Sequence, residues 1–167
     1  MPINSVFEFL LAFFFAAFYA TFVEYTMHRL MHSGFVVGRQ HGMHHQQNTG
    51  KGWLEEFRNY FLPTLSILWV GFLYSPAAGV GFAAGGTLAA AWAAYAHQLQ
   101  HERPELVFWL PRPIHHLHHK HKMWNHNFGI SVDFWDHIFG TYRPGTWEPE
   151  KKPFQYPLHE FFRIQWF

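Results

Sequence analysis

The chain has 167 residues, enough for a single domain over residues 1–167, and its formal net charge is only +1. This near-neutral charge gives no electrostatic basis for binding nucleic acid. The absence of cysteine excludes disulfides, iron–sulfur clusters and thiol nucleophiles. Aromatic residues make up 21% of the chain and histidine occurs 15 times, so apolar and histidine-rich features both need an explanation.

The first apolar segment runs from Val6 to Tyr25 and is interrupted only by Glu8, near its start. At a rise of about 1.5 Å per residue, some 19 residues reach nearly 30 Å, the thickness of a bilayer core. A signal peptide would need a basic amino-terminal region and a small-residue cleavage site, whereas no Lys or Arg precedes Arg29. We therefore predict a retained membrane helix that leads directly into a histidine motif.

The second apolar region, Asn59 to Ala96, contains no charged residue. Its roughly 38 residues exceed one membrane crossing and suit two. Turn-forming residues lie near its middle and predict a helical hairpin with its tip at Ser75–Gly79: Ser75, Pro76, Gly79 and Gly81. Gly85 and Gly86 indicate close helix packing. The alternative is a buried hairpin of a soluble protein, although a chain this short has little protein to cover it.

Basic residues flank these apolar segments on one side: Arg29, Arg39, Lys51, Arg58, Arg103, Arg112, Lys120 and Lys122. The positive-inside rule predicts that this side is cytoplasmic. Three crossings then leave the N-terminus outside. The remainder, from about Glu102, is polar and aromatic and is predicted to form short helices and loops. The expected fold is an all-α integral membrane helical bundle of about three crossings, with a cytoplasmic helical cap that holds a di-metal histidine site.

Four histidine motifs alternate between HxxxH and HxxHH spacing, and together they provide ten candidate metal ligands: His28, His32, His41, His44, His45, His97, His101, His115, His118 and His119. Residues three and four apart share a helix face, so each motif is expected to present its rings to one metal ion. Ten imidazoles exceed the roughly four protein ligands of a zinc site, which predicts two ions with open positions. Imidazole suits Fe, Zn, Cu and Ni alike. A solvated histidine-rich tract is the alternative, but such tracts are contiguous.

Other histidines and several carboxylates lie near these motifs. A ligating histidine usually donates its second ring N–H to a carboxylate, a carbonyl or water. The candidates for this supporting role are Glu24, His121, His126, Asp133 and Asp136. For each carboxylate, a surface ion pair or a helix-end interaction is an equal alternative. His116, His137 and His159 also fall outside the alternating pattern, and each is expected either to support a ligand or to lie at the surface.

The ordered motifs resemble those of the fatty acid hydroxylase/sterol desaturase superfamily of membrane di-iron enzymes. The similarity runs from about Glu24 to Arg143 and rests on EYTMHRLMH, HGMHH, HQLQH, HHLHH and the tail NFGISVDFWDHIFGTY. Within the superfamily, the chain is most similar to fatty acid 2-hydroxylases. The resemblance implies that the ten histidines bind two Fe ions, which Zn can replace in purified protein. It also implies O2 as co-substrate, a long-chain lipid that is hydroxylated or desaturated, and a separate ferredoxin or cytochrome as electron donor.

One departure from the acyl hydroxylases concerns the substrate. Ala93 and Ala94 stand where characterised acyl hydroxylases carry a Tyr-Asp pair implicated in placing the substrate head. The stretch HQLQHERP is similar to bacterial carotenoid ring hydroxylases, which are the alternative within the same chemistry. The tail that begins at Asn127 favours the acyl and sterol branch. A non-catalytic membrane metal-binding subunit is the alternative from another functional class.

Overall fold

The computed structural model describes residues 3–167. All the regular secondary structure in this range is helical, and the range contains no β-strand. The α-helices are α1 (Ile3–His32), α2 (Gly38–Gln47), α3 (Trp53–Thr64), α4 (Pro76–Glu102), α5 (Ile114–Lys120) and α6 (Phe134–Ile138). Short 3-10 helices cover Val70–Leu73, Pro104–Leu106, Pro153–Gln155 and Leu158–Phe162. The predicted all-helical class is confirmed.

The two long helices, α1 and α4, have 30 and 27 residues, and both are apolar enough to cross a membrane. The apolar side chains of α1 point largely outward, as at Phe7 (66% exposed) and Phe14 (65% exposed), which suits a lipid environment better than water. At about 1.5 Å per residue, α1 is about 45 Å long and exceeds a bilayer core of about 30 Å. Its last turns, which carry His28 and His32, can therefore project beyond the hydrocarbon.

Helix α4 packs lengthwise on α1 at Gly81 and Gly85, and the close helix packing predicted at Gly85 is thus confirmed. Ser75 caps α4 by accepting a hydrogen bond from the backbone N–H of Ala78, and Pro76 occupies the first turn. Gly79 therefore lies in the first turn of α4, so its predicted place at the hairpin tip is wrong, and Gly81 lies further along the same helix. A Cβ atom at Gly81 would overlap the backbone carbonyl of Phe9 in α1. The small size of Gly81 thus allows the close approach of α4 to α1, whereas a Cβ atom at Gly79 would meet the ring of Phe72.

The segment between α3 and α4 differs from the continuous helical arm that the apolar composition predicts. Helix α3 ends at Thr64, one residue after Pro63, and residues 65–75 form turns and one short 3-10 helix. Ser75 Oγ donates to Glu8 Oε2 at 2.6 Å and ties the tip to the start of α1. The chain thus passes along the bundle three times. Within residues 3–167 only α1 and α4 are continuous helices of spanning length, so the number of crossings stays a prediction.

The cap lies at the end of the bundle where α1 and α4 finish. Its apolar core packs the end of α4 against the segment that follows and against the C-terminal region: Leu99, Leu106, Val107, Leu110, Ile114 and Ile164. The backbone N–H of Trp53 donates to Gln165 O at 2.8 Å, which joins the C-terminal segment to the start of α3. Helices α2 and α5 are held in the same region, so all four histidine motifs meet at one end of the bundle.

Candidate metal centre

Five of the ten candidate histidines converge in a first group, here called cluster 1: His28, His32, His41, His45 and His118. Their nearest ring nitrogens all lie within 4.8 Å of one another. The Nε2 atom of His32 lies 2.9–3.2 Å from the Nε2 atoms of the other four. One nitrogen cannot hydrogen-bond to four others at once. Two nitrogens that bind one metal ion at about 2.1 Å each, with an N–metal–N angle of about 90°, lie about 3.0 Å apart. The spacing of these Nε2 atoms therefore suits a shared metal ion.

A second group, cluster 2, lies beside the first and contains His44, His101, His115 and His119. Their candidate ligand atoms also lie within 4.8 Å of one another, and Nε2 of His115 is 3.2 Å from Nε2 of His101. His97 is the tenth candidate and falls outside this tight group. Its ring centroid is nevertheless 4.7 Å from those of both His101 and His115. The structure therefore brings all ten rings to one site, and metal binding by them stays a prediction.

The two HxxHH motifs are each divided between the clusters. In α2, His41 and His45 belong to cluster 1 and His44 belongs to cluster 2. In α5, His115 and His119 belong to cluster 2 and His118 belongs to cluster 1. The expectation that each motif serves one ion is wrong for these triplets. Successive residues are about 100° apart around a helix, so i+3 and i+4 point to different sides. Helices α2 and α5 therefore lie between the clusters and connect them.

Backbone carbonyls orient two of the cluster 1 rings. The Nδ1–H of His28 donates to Phe128 O at 2.6 Å, and the Nδ1–H of His118 donates to His126 O at 2.6 Å. Because a carbonyl only accepts, the proton is on Nδ1 in both rings. The Nε2 lone pair of each ring then faces cluster 1, as a metal ligand requires. His126 thus has the supporting role predicted for it, but through its backbone.

Glu24 and Asp136 bind the loop that follows α5, and not the histidine rings themselves as predicted. Glu24 accepts hydrogen bonds from the N–H groups of Ile130 and Ser131 at 2.8 and 3.0 Å, and from the Ser131 hydroxyl at 2.6 Å. Asp136 accepts from the N–H groups of Phe128 and Gly129 at 2.9 and 2.7 Å. Within residues 3–167 neither carboxylate bonds to a candidate ligand. Together they fix the loop whose Phe128 carbonyl orients His28.

The remaining two supporting candidates take no such role in the described part of the chain. Asp133 lies 3.6 Å from Nε2 of His137, which is outside both clusters. His121 is exposed at the end of α5 and forms no hydrogen bond to a candidate ligand within residues 3–167. For Asp133, the alternative of a surface ion pair is the one that the structure supports.

Sequence reasoning missed Glu56, a residue of α3 that is only 6% exposed. Its Oε1 atom lies 3.3 Å from Nδ1 of His97. Burial alone would raise the pKa of this carboxyl, but the adjacent His97 and the backbone N–H of Lys51 lower the pKa below its ordinary value. Glu56 is therefore a charged carboxylate beside a candidate ligand. Its neighbour Glu55 is exposed, and nothing in the local sequence distinguishes the two.

Burial keeps the histidine rings in the neutral form that binds metal. Burial, together with the neighbouring imidazoles, lowers the pKa of His41 to about 2 and that of His44 to about 3. Several buried ring nitrogens also lack a hydrogen-bond partner: His32 Nδ1, His44 Nε2, His97 Nδ1, His115 Nδ1, and both nitrogens of His119. Such unpaired groups are costly in a protein interior. A metal ion would satisfy the unpaired Nε2 atoms of His44 and His119 in cluster 2 and would bind the Nε2 atoms that crowd around His32 in cluster 1. The residues therefore fit a pair of imidazole-bound ions.

Paired imidazole clusters at one end of long apolar helices are the arrangement of a membrane protein with a candidate di-metal centre. Comparison with protein-family models matches residues 13–141 to the fatty acid hydroxylase family. The chain belongs to this family, which confirms the resemblance and indicates an oxidoreductase of the membrane hydroxylase and desaturase type. The match does not extend to the 2-hydroxylase subtype. No curated protein and no solved structure matches significantly.

Proposed function

We propose that the chain is a membrane-embedded, non-haem di-iron monooxygenase that hydroxylates, or desaturates, a long-chain lipid. The observation that carries the proposal is the pair of neighbouring imidazole clusters in a member of the fatty acid hydroxylase family. Oxidation of a C–H bond by O2 requires a redox-active metal, and zinc has no redox chemistry. Iron is therefore the proposed native metal, although zinc, with higher intrinsic affinity than Fe(II), can occupy the site in purified protein.

Cluster 1 would hold one iron through five histidines, and cluster 2 the other through four, with His97 as a fifth. The two irons would supply the activation of O2. In hydroxylation, one oxygen atom enters a C–H bond and the other leaves as water, with two electrons and two protons taken up. In desaturation, the substrate loses two hydrogens and both oxygen atoms leave as water, again with two electrons and two protons taken up. A separate ferredoxin or cytochrome is the proposed source of the electrons.

The protein's own contribution is to orient the rings and to keep water out. Phe128 is 3% exposed, and its ring lies against His28, His32 and His118, with centroid distances of 5.8, 5.4 and 6.0 Å. Its backbone carbonyl also holds His28 in the ligand tautomer. An apolar cover of this kind strengthens electrostatic interactions inside the site and limits side reactions with water.

An open apolar groove between α3 and α4 supports a long-chain substrate. It measures about 540 Å³ and is lined by Trp53, Phe57, Phe72, Val80, Ala83, Ala84, Thr87, Leu88 and Ala91. Phe57 follows Glu56, the residue that contacts His97. Mostly apolar sites with few polar anchors suit an alkyl chain. Ala94 is fully buried and Ala93 is 5% exposed, so this part of α4 gives no polar anchor for a substrate head.

The orientation in the membrane follows from the same basic residues that flank the histidine motifs. Arg29, Arg39, Lys120 and Lys122 belong to the last turns of α1, to α2 and to the end of α5. We therefore propose that the histidine site lies on the cytoplasmic side, with the start of α1 outside. An apolar substrate would then enter laterally from the lipid to a site just beyond the hydrocarbon.

The test uses the iron-loaded protein in lipid nanodiscs with a reduced electron donor and isotopically labelled O2. Acyl lipids, carotenoids and sterols are supplied in separate reactions and analysed by mass spectrometry. We expect one labelled oxygen, or the loss of two hydrogens, in an acyl lipid. Labelled oxygen in a carotenoid ring alone would make the chain a carotenoid hydroxylase. Full iron loading without turnover of any lipid would favour a non-catalytic metal-binding subunit.

A further inference from the structure

An open cleft of about 500 Å³ lies in the cap beside cluster 1 and is lined by residues 121–126 and 143–146. Lys122 and Arg143 line it, together with the titratable rings of His121 and His126. None of the ten lining residues is acidic. Among residues 3–167, Lys122 and Arg143 also form no ion pair. The cleft therefore presents uncompensated positive charge.

The floor of this cleft touches the candidate metal ligands through Trp124. The indole is 46% exposed, and its ring centroid lies 4.4 Å from that of His32 and 5.4 Å from that of His45. Phe128 also contacts cluster 1 rings, but it is buried. Trp124 thus provides a direct aromatic contact between the solvent-exposed cleft and cluster 1.

Contacts along α1 show which way the cleft faces. Trp135 hydrogen-bonds to Thr21, Ile130 to Glu24, and Phe128 to His28. Trp124 packs on His32, the last residue of α1. Eleven residues separate Thr21 from His32, or about 16 Å along the axis. The cleft therefore lies at the end of the cap farthest from the apolar part of α1, where a water-soluble partner has access and a membrane lipid does not.

The backbone at the rim adds a second observation. Lys122 has φ 49°, in the left-handed region, at the position after the end of α5 where glycine is usual. Lysine is disfavoured there. Its N–H donates to His119 O at 3.1 Å, so the turn places residue 122 next to the backbone of a candidate ligand.

We propose that this cleft is the docking and electron-entry site for an acidic one-electron carrier protein, with Trp124 as the contact between the carrier and cluster 1. The inference rests on the proposed function, because a centre without redox chemistry needs no donor. Each docking event oxidises the carrier by one electron and reduces the metal centre by one. Two events supply the two electrons that one O2 requires. Opposite charges steer the carrier to the cleft, and salt weakens that steering.

The test uses the full-length, iron-loaded protein in nanodiscs and two acidic carriers in parallel, a plant-type [2Fe–2S] ferredoxin and a soluble b-type cytochrome. The charge-reversed variant carries Lys122→Glu and Arg143→Glu, and its control carries Lys151→Glu and Lys152→Glu, which are exposed outside the cleft. We expect the first variant to raise the Kd for the oxidised carrier by about tenfold or more and to flatten its salt dependence. The control should stay within about twofold of the parent.

Trp124→Leu separates electron entry from docking, with Trp147→Leu as its control because Trp147 packs on His116, outside both clusters. Trp124→Leu should slow reduction by saturating carrier by about tenfold per iron-loaded centre, because saturation removes any effect on carrier affinity and the measured iron content corrects for any effect on loading. Unchanged carrier binding after charge reversal, or parent protein that binds neither carrier although dithionite supports turnover, would overturn the inference. An equal loss of dithionite-driven turnover in the charge-reversed variant would also overturn it, because the cleft would then serve a step other than electron delivery. A parent centre that dithionite cannot reduce would instead refute the proposed function.

Discussion

Nδ1 of His97 lies 3.3 Å from Oε1 of Glu56, and this contact joins α3 to α4 at the edge of cluster 2. A carboxylate that accepts a hydrogen bond from Nδ1–H leaves Nε2 as the nitrogen available to a metal. Glu56 would thereby convert the peripheral His97 into a fifth ligand of cluster 2. This arrangement would give the two clusters equal numbers of imidazoles.

Glu56→Ala should therefore weaken metal binding at cluster 2. Loss of such an orienting partner typically costs about 10–100-fold in metal affinity, and Glu56→Gln should be milder because the amide still accepts a hydrogen bond. Chelator competition, followed by measurement of metal content, gives the affinity. Glu55→Ala is the matched control, since that side chain is 56% exposed. Equal affinities in the Glu56 and Glu55 variants would remove Glu56 from the site.

The two clusters should lose metal separately. His118→Ala removes a ring of cluster 1, and His44→Ala removes one of cluster 2. Each variant should retain about one ion fewer than the parent and should lose lipid oxidation, because both ions are needed. Elemental analysis and the labelled-oxygen assay measure the two effects. His159→Ala, at a side chain 70% exposed, is the control. Full metal loading in both cluster variants would contradict the ligand assignment.

Acid should release the metal and destabilise the fold. Burial lowers the pKa of His41 to about 2, of His44 to about 3 and of His118 to about 3, whereas an unfolded histidine has a pKa of about 6.5. Between these values the unfolded chain binds more protons than the folded one. Stability is therefore fully present above about pH 6.5 and falls progressively below it. Protons also compete with metal for the same nitrogens.

Metal retention and thermal unfolding, both measured from about pH 8 to about pH 5, test this dependence. Iron content and the unfolding temperature should decline together as the pH falls. The unfolding temperature of the metal-free protein should also decline as the pH falls, and at each pH where iron stays bound it should be lower than that of the iron-loaded protein. A stability that is flat over this range, in either form, would mean that the buried rings are not neutral.

The three-pass topology can be tested directly because the chain has no cysteine. Tyr74 is 78% exposed beside the Ser75 tip, whereas Gln46 is exposed in α2 near the histidine site. A membrane-impermeant thiol reagent should label Tyr74→Cys from outside intact cells and Gln46→Cys only after the cells are opened. Labelling of Tyr74→Cys from the cytoplasmic side alone would show that residues 53–75 do not cross.

Local features of the site were predictable because they depend on helix geometry and on composition. The apolar run that ends at Tyr25 predicts a long helix, and the structure extends it unbroken to His32. The i and i+4 spacing of His28 and His32 predicts neighbouring rings, and their Nε2 atoms lie 3.2 Å apart. Helical periodicity brings such pairs together whatever the rest of the chain does.

Tertiary packing decided which partner each of these groups meets. His44 and His45 are adjacent in the sequence, yet α2 lies between two clusters and delivers them to different ones. Glu24 binds backbone groups more than 100 residues away, while Glu56 is buried against His97 and Glu55 is left in solvent. A short sequence window defines the directions in which side chains leave a helix. It does not define what another helix, folded against it, places in those directions, and that arrangement determines which nitrogens can share an ion.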